Sequence, residues 1–194
     1  MTKTILLAED TADDALLIKS AFQQAGFDLL FMHVWDGEQA LFYLEGSGPY
    51  GDRLRFPIPD LLLLDLKMPR LDGFEVLDWI RKNPDWRALP VIVLTDSYFG
   101  ADIQRAYALG ANSFLTKPDE YQELLAAASH IGNYWLRRNV LPDLGPFIPA
   151  PAELPAAAAA PPAILDTRTP TLPGTLRSEQ TAQDPEPPPS QDSP

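Results

Sequence analysis

Asp60-Leu61-Leu62-Leu63-Leu64-Asp65-Leu66-Lys67-Met68-Pro69-Arg70-Leu71-Asp72-Gly73 is the stretch that decides how the chain folds. Four consecutive leucines read as a strand buried on both faces, the situation of a parallel sheet covered by helices on each side. The run closes on Asp65 and passes into a loop punctuated by Met68-Pro69 and Asp72-Gly73. Open α/β sheets place their chemistry just outside the carboxyl ends of their strands. Asp65 is therefore the first candidate for a reactive group.

Strands and helices alternate outward from that run over residues 3–138. Toward the amino terminus, residues 4–8 are predicted as a first strand closed by Glu9-Asp10. Residues 12–25 follow with a helical stripe of Ala15, Leu16, Ile18, Lys19, Ala21, Phe22 and Ala25, with Thr11 as its predicted cap and Gly26 as its stop. A second strand is predicted over 28–34 and a second helix over 36–44, ended by Gly46. Residues 46–59 hold three prolines, three glycines, Arg53 and Arg55, and read as a long surface loop.

Toward the carboxyl terminus, Asp72-Gly73 opens a third helix with Phe74, Val76, Leu77 and Ile80 inward. Residues 89–95 give a fourth strand ending on Thr95, residues 101–109 a fourth helix, and residues 111–116 a fifth strand before Lys117-Pro118. A last helix is predicted from 119 to about 138, with an apolar face broad enough either to be deeply buried or to meet another protein.

The composition divides the chain at residue 140. Fourteen of the 21 prolines lie beyond it, together with Ala156 to Ala160 and Pro187-Pro188-Pro189. Residues 141–194 are predicted to be a disordered Pro/Ala-rich tail, and residues 1–140 one folded domain. A net charge of -12 argues against nucleic acid or an anionic membrane as partner. The absence of cysteine removes disulfides and thiolate metal sites. No signal peptide is legible after Met1, and a cytoplasmic location is expected.

Glu9-Asp10, Asp65, Thr95 and Lys117 each stand at the end of a predicted strand. In a parallel sheet those ends share one edge, so the side chains converge there. Crowded carboxylates raise one another's pKa unless a cation intervenes. An all-oxygen donor set suits Mg²⁺, which commonly serves phosphoryl transfer. A lysine and a hydroxyl beside it can hold phosphoryl oxygens, and an aspartate can be the nucleophile.

In this ordered set, together with Met68-Pro69, Asp72-Gly73, Phe114 and Lys117-Pro118, the chain resembles the receiver domain of two-component response regulators. The resemblance implies a flavodoxin-like (βα)5 doubly wound sheet of strand order 2-1-3-4-5, with Asp65 taking a phosphoryl group from a histidine kinase. It also implies that Glu9, Asp10, Asp65 and the backbone carbonyl of Lys67 hold Mg²⁺. Thr95 and Lys117 would bind phosphoryl oxygens, and Phe114 would be the aromatic switch. The long loop before the leucine run and the Tyr134-Trp135-Leu136 ending are similar to standalone regulators that partner phytochrome-type kinases. Their expected consequence is a homodimer through the fourth and fifth helices, with output by protein contact or phosphorelay and no catalysis beyond self-phosphorylation and autodephosphorylation.

Asp96 departs from the pattern, because a small or hydroxyl residue usually follows the threonine in this family. A carboxylate there either repels phosphate donors at the pocket lip or points to solvent. Two other functions stay open at this point: a phosphorylation-independent binding module, and an aspartyl-phosphate phosphohydrolase. The hydrolase reading wants a second carboxylate two residues after the nucleophile, where Lys67 stands. His33 and His130 lack partners at ligand spacing and read as structural or exposed.

Overall fold

The computed structural model describes residues 2–142 and 144. Five parallel strands form one sheet in the order β2-β1-β3-β4-β5. They are β1 (Lys3–Ala8), β2 (Leu29–Val34), β3 (Leu61–Leu64), β4 (Val91–Thr95) and β5 (Ser113–Thr116). The connecting helices are α1 (Ala12–Gln24), α2 (Gly37–Glu45), α3 (Gly73–Lys82) and α4 (Gly100–Ala108), with α5 (Tyr121–Ile131) closing the series. This is the flavodoxin-like topology expected from the sequence. The predicted tail lies outside the described residues apart from its first positions. Among the described residues no helix is long and apolar enough to cross a membrane.

The leucine run shows why the sheet is buried on both sides. Leu62 and Leu64 join the core on the face of α2, α3 and α4, with Tyr43, Val76, Leu77, Ile80 and Ala106. Leu61 and Leu63 point the other way, into the core shared with Ile18, Phe22, Leu124 and Ile131 of α1 and α5. Side chains alternate across a strand, so a strand between two cores needs an apolar residue at every position. All four are fully buried, and truncating any one to alanine is expected to cost roughly 2–5 kcal/mol.

Residues 46–59 are more than the plain surface loop expected of them. Gly46 ends α2 in the left-handed conformation, at φ 67°. Tyr50 and Phe56 then turn inward against Tyr43, with ring centroids 5.1 to 6.1 Å apart. Arg53 donates to the carbonyl of Tyr43 at 2.8 Å, which also accepts the Gly46 N–H, and to that of Leu44 at 2.5 Å, adding a side-chain donor at the end of α2. Composition marked the segment as irregular. It could not show that the irregular backbone carries two core aromatics, Tyr50 and Phe56, and a cap.

Two helix ends differ from the sequence reading. Thr11 occupies the position before α1, but its side chain makes no capping bond; its backbone N–H donates to Glu9 Oε1 instead, at 3.2 Å. The last helix does not continue uniformly, because Gly132–Arg138 widens into π-helical turns. Gly132 lies under the Phe27 ring, where a Cβ would collide. The widened turn leaves Trp135 and Leu136 against the α1/α5-side core and Tyr134 exposed. By contrast, Asp72 and Glu75 form the reciprocal capping box that starts α3.

Candidate functional site

The strand order puts the carboxyl ends of β1, β3, β4 and β5 side by side. Register sets the fine alignment: Ala8 pairs with Leu64, so Glu9 and Asp65 leave neighbouring strands at the same level. Thr95 pairs with Thr116, and the Lys117 N–H donates to the Thr95 carbonyl at 2.8 Å. Glu9, Asp10, Asp65, Thr95 and Lys117 thereby come to one rim.

Carboxylate oxygens of Glu9, Asp10 and Asp65 lie within 4.8 Å of one another, with Glu9 and Asp65 buried and Asp10 exposed. Three anionic oxygens this close repel unless a cation joins them. With neither sulfur nor imidazole among them, they fit a hard divalent ion such as Mg²⁺ or Mn²⁺. Asp65 Oδ1 accepts the N–H of Leu66 at 2.8 Å. Among the described residues no hydrogen bond or ion pair engages its second oxygen, so one lone-pair-bearing oxygen faces the rim.

Burial pushes the Glu9 carboxyl up to about 7, against the pull of the Lys117 ammonium and with the charge of Asp65 adding to the rise. Burial alone would depress Lys117, but hydrogen bonds to Asp14 and Glu9 and the nearby charge of Asp65 outweigh it. The ammonium is held above its ordinary value. Lys117 Nζ stands 2.7 Å from Glu9 Oε2 and 2.7 Å from Asp14 Oδ2. Asp65 is not among its ion-pair partners within the described residues.

Thr95 is fully buried, and its hydroxyl oxygen accepts a long bond, 3.4 Å, from the N–H of Ser97. Ser97 in turn donates to Asp102 in the first turn of α4, at 2.5 Å. Asp96 is exposed. Phe114 is half-buried against the core on the α4 side. The Lys67 side chain is exposed, two residues past Asp65. His33 Nε2 lies 2.8 Å from the Glu9 carbonyl oxygen and its ring sits edge-on to Trp35, a structural role, while His130 is exposed.

Two contributors were missed in the sequence. Asp14 reaches Lys117 across 103 positions; the available signal was an acid in the first turn of the helix that starts at the rim. Arg70, in the loop after Asp65, pairs with the wholly buried carboxylate of Asp36 and adopts φ 66°. Nothing in the local sequence announces that pair, since arginine rarely adopts this conformation.

Comparison with known proteins agrees with this arrangement. The model of the response regulator receiver domain matches residues 5–129. "Probable methanogenesis regulatory protein FilR2" of Methanothrix harundinacea is 40% identical over 141 residues, 71% of this chain and 86% of that protein. Response regulator Rcp1 of Synechocystis sp. is 36% identical over 140 residues, 72% of this chain and 93% of Rcp1. The crystal structure of the Mn(2+)-bound form of Rcp1 superposes with a TM-score of 0.67, at 36% identity, over 73% of this chain and 99% of that one. The phosphorylated cyanobacterial phytochrome response regulator RcpA gives 0.69, at 35% identity, over 74% and 100%. The chain belongs to the response regulator receiver domains, the phosphoryl-accepting modules of two-component signalling.

Proposed function

We propose that Asp65 is the phosphoryl acceptor, that residues 1–140 form the receiver unit, and that a histidine kinase is the donor. The observation that carries this reading is the buried Asp65 carboxylate, anchored by one oxygen and open at the other, inside a three-acid cluster. In the transfer, the open oxygen forms a bond to phosphorus as the bond from phosphorus to the kinase imidazole breaks, and the imidazole leaves. Glu9, Asp10 and Asp65, with the Lys67 carbonyl, would hold Mg²⁺, which supplies charge neutralisation among the acids and phosphoryl oxygens. Thr95 and Lys117 bind the remaining oxygens, and the same site slowly returns the phosphoryl group to water.

The added charge draws Thr95 and Lys117 inward and biases Phe114 toward the core, shifting the surface of α4, β5 and α5 between two populations. Tyr98, Phe99 and Tyr107, exposed at the start and on the flank of α4, support a second copy as one reader of that surface. The similarity to Rcp1 and to the phytochrome regulator RcpA supports a phytochrome-type donor, and we place the exchange in the cytoplasm, where ATP charges such kinases.

The test is Mg²⁺-dependent incorporation of phosphate from a small donor, followed by transfer from a phosphorylated phytochrome-type kinase. One stable phosphate per chain, absent in Asp65→Asn, is the expected result. No incorporation from either source would favour the binding-module reading. Many turnovers on small phosphoesters would favour the hydrolase.

A further inference from the structure

We infer that Asp14 is a positioning residue that competes with the phosphoryl group for the Lys117 ammonium. This rests on the reading of Asp65 as acceptor. Lys117 leaves β5 with its side chain only 9% exposed, and its Nζ is shared between Glu9 at the end of β1 and Asp14 in the first turn of α1. Two of its three donors are thus directed toward carboxylates on the β1/α1 side. Asp65 contributes its charge to Lys117 without forming an ion pair with it.

The two partners are unequal. Glu9 is almost wholly buried, whereas the Asp14 side chain is 31% exposed and water can replace its bond to lysine. Its charge sits at a helix N-terminus, where it is favoured without the lysine. The lysine stem and Asp14 line a small cavity with Leu17, Ile18, Pro118 and Leu124, so the stem is not packed tight on the side of α1 and α5. Asp14 is therefore the partner that Lys117 exchanges for phosphoryl oxygens, and its pull on the resting ammonium opposes phosphorylation.

The experiment compares full-length wild type with Asp14→Asn, using phosphoramidate and Mg²⁺ as donor and intact mass as readout. Asp14→Asn is expected to raise the initial rate about threefold to tenfold and to tighten beryllofluoride binding by a similar factor, a charge-assisted bond discounted for exposure. Asp14→Glu should return both toward wild type. In a Lys117→Met background the effect of Asp14→Asn should vanish, which a general removal of negative charge would not produce.

A second measurement holds even where uptake is slow: the ¹⁵N–¹H signal of the Lys117 ammonium, assigned by its loss in Lys117→Met, should move in Asp14→Asn. Unchanged or slower uptake, acceleration that survives Lys117→Met, or an unmoved ammonium signal each overturns the inference. Wild type that labels normally beside an unresponsive Asp14→Asn would defeat this inference alone. Wild type that takes no phosphate would defeat the acceptor reading with it.

Discussion

Asp60 and Asp65 flank the same four leucines, one before β3 and one after it, and their surroundings could hardly differ more. Asp60 is matched locally: Lys3 reaches one oxygen at 2.7 Å and the Thr4 N–H reaches the other at 2.8 Å. Among the described residues Asp65 has a single donor, its neighbour Leu66, and it shares its pocket with two further carboxylates. The nearby lysine is committed to Glu9 and Asp14. A carboxylate whose oxygens are both paired with a cation and an amide has a structural role and little appetite for an electrophile. One that keeps a free oxygen among like charges remains receptive to a cation and a phosphorus centre.

The largest test of this contrast exchanges both aspartates for asparagine. Asp65→Asn is expected to abolish phosphate incorporation while leaving the fold intact. Asp60→Asn should keep incorporation within about twofold and lower unfolding stability by about 1 kcal/mol, the usual worth of one part-exposed ion pair and its amide bond. Isothermal labelling and urea titration of both variants measure the two axes. Loss of labelling in Asp60→Asn at full stability would erase the distinction.

A middle-sized effect concerns pH. Glu9 is a carboxyl raised from its ordinary 4.5 to about 7, so the cation-free folded chain retains a proton that the unfolded chain has released. Its contribution to stability is therefore fully present below 4.5 and is lost as pH rises through about 7. A cation needs the deprotonated form, so apparent Mg²⁺ affinity should fall about tenfold per pH unit below pH 7. Glu9→Gln should flatten that slope, as followed by calorimetric titration between pH 5.5 and 8.

The smallest effect belongs to Asp96, which is exposed beside the rim. Asp96→Ala should speed labelling by an anionic donor no more than about threefold, and the gain should disappear at 0.5 M salt, where exposed charges are screened. A salt-resistant gain would mean that this carboxylate faces the phosphoryl position.

The fold was legible because its signals are local. Leu61 to Leu64 and the run from Val91 to Thr95 announce buried strands, and strand-end chemistry at Glu9, Asp65, Thr95 and Lys117 needs only their alternation with helices to converge. Asp72-Gly73 as the opening of α3 was equally local, although Glu75, which completes the capping box, was not singled out. What the sequence withheld depends on polar side chains that cross from one element to another: Asp14 on Lys117 and Asp36 on Arg70 between distant segments, and Arg53 folding back on the end of α2. The widened turn at Gly132 was also hidden, because it answers to Phe27, more than a hundred positions away. Periodicity reports which face of an element is apolar and is silent on which polar side chain crosses to another element.

The Arg70–Asp36 pair has a consequence for anyone wishing to transplant this chemistry. An arginine at φ 66° sits about 1–2 kcal/mol above its preferred backbone states, and its guanidinium is held by an acid that belongs to the corner between β2 and α2. The loop that follows Asp65 thus takes its shape partly from a residue some thirty positions upstream. Segment 65–72 grafted into a foreign scaffold without that corner would lose its template, and the graft would have to carry along Asp36 and also Gly37, where any Cβ would collide with Leu71.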